Sequence, residues 1–501
     1  MRRSVPQVRL LPLRWVIPWI ALSVAFVSRE AIAQNPRSVL IGGRTATMGG
    51  AGTAAGNDSA MPYLNPAGLA GVPGDVFAVS ASVYSWTSWK VGTALAPQGF
   101  PADLGPSVGE DRGTRATGIL DLPSSVMYFK HLSLGPDMHA AVGMSLVIPS
   151  SSGFDLIATR KASFPSNAAS YAGDVSVVER SSDYYLGPAF AIDLGGVRLG
   201  GTVYGLYTKA SRAAKYSDTV LLANGTFPGQ STSTFFQDAT SMSLVAVLGA
   251  QVNLVGKLWA GAAVATPSVS LGGTSVETAA QTVNQAMPQA TTPTFTSHGM
   301  TADRNHTSGR PLRVNVGLAY EDRSRFSLAG DVGLFLRRAD AIVSDGPEAH
   351  TDIVSGQPTR TYVVAGRTAT NLEQVIDVSL GGEIVISSFA LRFGAFTDLS
   401  QRKPFQTLNT VDILSLRGDR VGGTLGLGTI VGSFDSTIGI AYTRTTGQLN
   451  ALDLTNPTAP GYPVGATANT VTFIISGAVT AAGAKKTITD TLPGGTPSPL
   501  P

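Results

Sequence analysis

From Val76 to Val479 the chain repeats one unit about fourteen times: a short segment of alternating apolar and polar residues, then a connection that is alternately long and short. Few folds accommodate that rhythm. Alternation with a period of two gives each segment one apolar and one polar face. Short turns at one rim and long connections at the other are what a transmembrane β-barrel needs, with one face to lipid and one to the lumen. Segments 76–86, 123–132, 138–149, 182–193, 196–208, 239–253, 257–270, 311–321, 325–336, 374–386, 389–397, 420–431, 434–444 and 468–479 are expected as strands. The chain is thus expected to be all-β, a 14-stranded antiparallel transmembrane β-barrel over 76–479. An even count brings both termini to the short-turn rim, which is periplasmic in a bacterial outer membrane. The connections 87–122, 271–310 and 337–373 exceed ordinary loop length and are expected as exposed extracellular loops.

Individual segments carry the pattern clearly. Leu312, Val314, Val316, Leu318 and Tyr320 alternate with Arg313, Asn315, Gly317, Ala319 and Glu321. In 374–386, Ile376, Val378, Leu380, Ile384 and Ile386 lie opposite Asp377, Ser379 and Glu383. A soluble antiparallel sandwich would use the same alternation. The N-terminal leader, the chain length, the lack of Cys and the long/short alternation of connections favour the barrel. Arg313, Glu321, Asp331, Asp377, Glu383 and Arg392 are then expected to face the lumen, since an Arg facing lipid at mid-depth costs roughly 2–4 kcal/mol. Trp86 and Trp89, with Trp259, Phe326, Phe389 and Phe434 near short turns, fall where aromatic side chains meet the membrane interfaces.

Residues 1–33 look like a secretory signal peptide: Arg2, Arg3, Arg9 and Arg14, an apolar run from Trp15 to Val27, and Ala31-Ile32-Ala33 before Gln34. The charge balance shifts once that leader is set aside. The whole chain has 36 Lys and Arg against 33 Asp and Glu, net +3. The leader holds five Arg and one Glu, leaving 31 basic against 32 acidic residues, so the basic excess behind a nucleic-acid reading disappears. With no Cys, disulfides and a lipobox anchor are excluded. No segment after the leader approaches the 18 or so consecutive apolar residues of a membrane-spanning helix. Residues 480–501 form a Pro/Gly-rich tail.

Residues 34–75 lack strand alternation and are rich in Gly and Ala. They contain Met48-Gly49-Gly50-Ala51-Gly52-Thr53-Ala54, Asp58-Ser59-Ala60 and Asn65-Pro66-Ala67-Gly68-Leu69-Ala70. Asn65 suits local backbone hydrogen bonding, Pro66 favours a helix start, and Gly68 permits a tight exit. A dinucleotide fingerprint at Gly50 to Ala55 lacks the βαβ unit it needs. The order of these motifs resembles the FadL/TodX family of outer-membrane transporters for long-chain fatty acids and hydrocarbons. The likeness extends to Pro123–Phe129, His139–Pro149, Leu312–Tyr320, Ser379–Glu383 and Leu391–Gly394. It implies a fourteen-stranded barrel with an N-terminal hatch in the lumen carrying the motif Gly49, Gly50, Asn65, Pro66 and Ala67. It also implies a hydrophobic solute bound inside the barrel and released sideways through a gap in the wall. The family's terminal aromatic residue is missing: the last strand closes near Val479 and the tail follows, which the barrel assembly machinery must tolerate.

The expected function is passive outer-membrane transport of fatty acids or aromatic hydrocarbons, by a monomer in contact with outer-membrane lipids. Gly187-Pro188 is the candidate lateral opening, because Pro cannot donate to a ladder and the segment lies beside the third strand. Arg313 and Arg392 are the candidate lumen partners for a fatty-acid carboxylate. A barrel serving as a docking platform for secretion or surface attachment, without lipid transport, is the alternative. No enzyme, cofactor, metal or nucleic-acid role is expected. His298, His306 and His350 fall in expected loops, and His131 and His139 flank a turn.

Overall fold

The computed structural model describes residues 39–480, except 55, 73, 92–107, 113–114, 119–122, 136–137, 165–168, 222–228, 286–293, 356, 403–415, 432–433 and 452–461. The expected leader and nearly all of the expected tail lie outside the described residues.

Period-two segments pair in sequence order and close on themselves. The strands are β1 (Val76–Val91), β2 (Pro123–Ser133), β3 (His139–Phe164), β4 (Ala169–Asp193), β5 (Val197–Leu221) and β6 (Gly229–Val255). Four interrupted strands follow: β7 (Leu258–Ala265, Val269–Gln285), β8 (Thr294–Ser308, Arg313–Asp322), β9 (Phe326–Phe335, Arg338–Val354) and β10 (Arg360–Leu372, Val375–Ile386). The last four are β11 (Phe389–Asp398), β12 (Leu416–Val431), β13 (Phe434–Ala451) and β14 (Tyr462–Thr480). Two short strands, Val108–Arg112 and Arg115–Gly118, sit between β1 and β2. Pairing of β1 with β14, from Val76 opposite Thr480 to Val91 opposite Ala466, completes a closed 14-strand antiparallel barrel.

Closure leaves the outer face to meet lipid. Val316, Leu318, Leu328, Leu380, Leu391, Phe393, Leu425 and Ile438 are exposed there, while Arg313, Asp331, Asp377, Glu383 and Arg392 are buried on the inner side. Alternation thus divides the wall as its sequence implies. Trp259 departs from the expected interfacial placement. It packs on the cluster formed by Ala54 and Ala319, with the Arg198 guanidinium 4.3 Å over its ring.

The expected loops 271–310 and 337–373 are instead largely strand. Strands β3 to β6 run 26, 25, 25 and 27 residues. At about 3.3 Å per residue that is roughly 80 Å of strand, whereas a tilted strand crosses the hydrocarbon in about 9–11 residues. The wall therefore stands well clear of the membrane at its long-connection rim. There both faces are polar, as with Thr301, Asp303 and Asn305 outside and Arg304 and His306 inside. Loss of an apolar face erases the alternation that marks a strand in sequence.

Residues 39–72 lie in the lumen. They contain two single-turn helices, α1 (Arg44–Thr47) and α2 (Met61–Leu64), and a 3₁₀ turn at Pro66–Gly71. One apolar cluster joins Met61, Tyr63, Leu64 and Leu69 to Met127 and Phe129 of β2, Val147 of β3, Tyr185 of β4, Tyr204 of β5 and Val247 of β6.

The position of the lipid belt is testable. Leu318→Arg should cost about 2–4 kcal/mol and Thr301→Arg under about 0.5 kcal/mol, measured by urea titration of protein folded in lipid vesicles. Equal costs would mean that the membrane boundary lies elsewhere.

Candidate solute chamber and the plug beneath it

The lumen segment carries a short, turn-rich backbone whose polar groups have few partners of their own. The barrel wall supplies them. Asp331 Oδ2 on β9 accepts from the Gly52 N–H, the Thr53 N–H and the Thr53 hydroxyl, each at 2.8 Å. The Thr424 and Thr202 hydroxyls donate to the Thr47 and Pro62 carbonyls at 2.8 and 2.9 Å. Gly42 donates to Ser80 on β1 at 3.1 Å, and Ser80, Ser125 and Ser59 continue the chain of hydroxyls.

The expected hatch motif sits at the centre of this contact. Asn65 is fully buried. Its amide donates to the Thr53 carbonyl at 2.6 Å and to the Ala250 carbonyl of β6 at 3.0 Å, while its Oδ1 accepts from the Ala67 N–H at 3.2 Å. One side chain therefore caps the 3₁₀ turn that begins at Pro66, ties two parts of the segment together and fixes both to the wall. Gly49 and Gly50 take positive φ, +69° and +84°. At Gly49 a Cβ would come within 2.8 Å of the Ala395 nitrogen and 2.9 Å of the Leu380 carbonyl oxygen, so main chain lies directly on main chain.

Charge holds the other side. Arg44 on α1 pairs with Glu321 at 2.7 Å and Glu383 at 3.1 Å, and Glu383 also takes Arg392 at 2.7 Å. Arg392 is 1% exposed and donates a further hydrogen bond to Thr437 at 2.5 Å. Through Glu383 it joins the ion-pair cluster that holds Arg44. Arg313, which lines the chamber described next, donates to the Tyr63 carbonyl at 2.6 Å, and its guanidinium lies 4.1 Å from the Tyr63 ring centre.

Above the plug lies a chamber with an apolar lining from Tyr63, Tyr185, Val245, Val247, Phe335 and Leu372. It holds about 50 Å³ of open space, enough for a few water molecules. Tyr185 meets Tyr63 and Tyr204 edge-on at 5.4 and 5.5 Å, a favoured aromatic geometry. Asp183 and Arg310 form a buried ion pair at its edge, with the Thr208 hydroxyl donating to Asp183 at 2.9 Å. Among the described residues no group of three or more His, Asp or Glu has metal-ligand geometry.

Pro149 and Ser150 also line the chamber, and here the wall is irregular. Val147 pairs with Tyr185 and Ser150 with Asp183, so Ile148 and Pro149 together face the single residue Tyr184. That is a β-bulge. The Pro149 carbonyl accepts from Val39, at the start of the described chain, at 3.1 Å. At Gly187-Pro188, the expected lateral opening, pairing differs on the two sides of the strand. Pro188 pairs with Met144, so the β3–β4 ladder runs through it. Pairs are missing only toward β5, between Leu186–Gly205 and Ala189–Thr202, and the register resumes unchanged. Proline's missing N–H accounts for so short a break. The bulge at Ile148–Pro149 carries the same signal, a proline within a strand, but Pro149 falls at the end of the expected segment 138–149.

No protein-family model and no curated protein matches the chain by sequence. Its fold does match solved structures. The CymD monoaromatic hydrocarbon channel superposes with a TM-score of 0.50 at 11% identity, over 88% of this chain and 97% of that one. A Pseudomonas aeruginosa FadL homologue gives 0.49 at 13% identity over 90% and 99%. The P. putida toluene transporter TodX gives 0.49 at 14% over 88% and 98%. At such identity the likeness is one of fold, and the CymD superposition carries it: the chain has a FadL/TodX-type barrel fold.

Two substitutions probe the clamp and the close approach. Glu383→Gln leaves two buried guanidiniums short of a carboxylate and should cost about 3–5 kcal/mol, with faster hydrogen exchange at residues 44–53. Gly49→Ala forces a Cβ into the wall at positive φ and should speed exchange over the same amides. Unchanged exchange in both would show that the plug does not depend on these contacts.

Proposed function

We propose that this FadL/TodX-type barrel passes small hydrophobic compounds across a bacterial outer membrane by passive diffusion, with the lumen segment acting as a hatch and both termini periplasmic. The solute would enter at the long-connection rim, rest in the chamber over Tyr63 and leave sideways through the wall at Ile148–Pro149. The observation that carries this proposal is the adjacency of the apolar chamber to the bulge. Below the chamber the segment 39–72 packs on the inner face of the wall, and beside the chamber the wall breaks register.

A sideways exit suits apolar cargo. Each methylene returned to water costs about 0.8 kcal/mol, so delivery into the bilayer avoids a barrier that grows with cargo size. The chamber also favours an uncharged solute. Arg310 is paired with Asp183, Arg313 is bonded to Tyr63, and Arg392 is locked to Glu383. A carboxylate would have to break one of these pairs to gain a counter-ion, whereas an aromatic ring needs only apolar walls. CymD is described as a monoaromatic hydrocarbon channel, and a compact hydrocarbon is the cargo favoured here too. The small open volume means that Tyr63 and Tyr185 must shift as the solute enters.

Entry of toluene, oleate and a small sugar into liposomes carrying the refolded protein tests this route. Toluene should enter, oleate more slowly, and sugar not at all. Deleting Pro149 leaves Ile148 opposite Tyr184 in regular pairing and should slow toluene severalfold. Equal toluene entry with the bulge removed would sink the sideways route. Sugar entry in the unaltered protein would mean an open pore, and entry of nothing would favour a docking platform.

A further inference from the structure

Far from the plug, in the wall beyond the membrane, two of the five histidines meet on the lumen side. His298 on β8 and His350 on β9 have ring centres 5.3 Å apart, and His298 Nε2 lies 3.3 Å from His350 Nδ1. Each ring has a carboxylate on its other nitrogen: Asp352 is 2.5 Å from His298 Nδ1, and Glu348 is 3.0 Å from His350 Nε2. We propose that His298 Nε2 and His350 Nδ1 bind one borderline divalent transition-metal ion, such as Zn²⁺, Ni²⁺ or Cu²⁺.

Proton bookkeeping leads there. A carboxylate accepts hydrogen bonds, so the ring proton of His298 belongs on Nδ1 and that of His350 on Nε2. Both facing nitrogens then present lone pairs to each other. Two neutral rings in this arrangement repel unless a cation lies between them. A hydrogen bond between two neutral rings would turn one lone pair toward its own carboxylate, so the arrangement asks for an added cation between the rings.

The separation fits a metal. Zinc–imidazole bonds of about 2.0–2.1 Å at a tetrahedral angle put the two nitrogens roughly 3.3–3.4 Å apart. Carboxylates on the distal nitrogens are the usual support of metal-bound histidines, fixing tautomer and ring orientation. The rings are held before any ion arrives. His350 stacks on Tyr362 of β10 at 5.1 Å with 9° between planes, and Arg304 fixes Glu348 at 2.5 Å. The surrounding charges are Asp352, Glu348 and Glu277 against Arg304 and Arg360. The protein supplies two nitrogen donors, and water completes the shell. Imidazole donors suit these metals and not Ca²⁺ or Mg²⁺, which take oxygen ligands.

Cu²⁺ titrated into the refolded full-length protein in detergent micelles, with pulsed electron paramagnetic resonance counting imidazole ligands, decides the matter. One equivalent with two imidazoles is expected, displaced by Zn²⁺ and not by Ca²⁺. His298→Ala and His350→Ala should each abolish the two-imidazole signal, and Asp352→Asn should weaken binding by about 10–100-fold. Heat-modifiable gel mobility reports whether each variant is a folded barrel. The unaltered protein's imidazole count suffices alone if a variant fails to fold. No two-imidazole copper, or its persistence in both folded alanine variants, overturns the proposal.

Discussion

The pairing of β1 with β14 is the contact on which everything else depends. In hydrocarbon an unpaired backbone N–H or C=O has no water to turn to, so a spanning sheet has to close. Val76–Val91 and Tyr462–Thr480 lie more than 370 residues apart in the chain, yet they pair over their common length with one bulge, between Ser82 and Tyr84. Once the sheet is closed, period-two alternation sends apolar side chains to lipid and charged ones inward. A lumen with a polar lining then exists, and it can receive a segment that has no fold of its own.

That segment is held in two different ways on its two sides. Toward β1–β6 an apolar cluster, with Met61, Leu64 and Leu69 beside Met127, Phe129 and Val147, is joined by hydrogen bonds to Ser80, Ser125, Thr202 and Ala250. Toward β8–β13 the contact is polar: Asp331 holds the Gly52-Thr53 turn, and Glu321 and Glu383 hold Arg44. The chemistry of the two sides differs in what replaces it. Water can substitute for hydrogen bonds and screen ion pairs, but it penalises exposed apolar surface.

Buried arginines illustrate how context assigns a role. Arg313 and Arg392 share the inner face of well-patterned strands, and nothing in their spacing separates a solute partner from a structural one. Their surroundings make the distinction. Arg392 meets Glu383 and Thr437, and Arg313 meets the Tyr63 carbonyl and ring. Both cations hold the plug. The chamber is left with aromatic and aliphatic walls and with charges already matched to each other.

Strand number, closure, inward charges and the special nature of the Gly-Gly and Asn-Pro-Ala stretch were legible in the residues themselves. Each is a local rule: a period of two, the cost of a charge in lipid, the backbone demands of Gly, Asn and Pro. The polar strand extensions were not legible, because with water on both faces Thr301 to His306 carry no alternation. Nor was the bulge at Ile148–Pro149, which exists only relative to Tyr184 on the neighbouring strand. The pairing of His298 with His350 likewise required the register that sets Asp352 opposite His298. Which faces are wet and which are apolar follows from near neighbours in the chain. Which inner-face groups meet, where the wall breaks and what the lumen encloses follow from the register between strands distant in sequence, and so from the folded barrel.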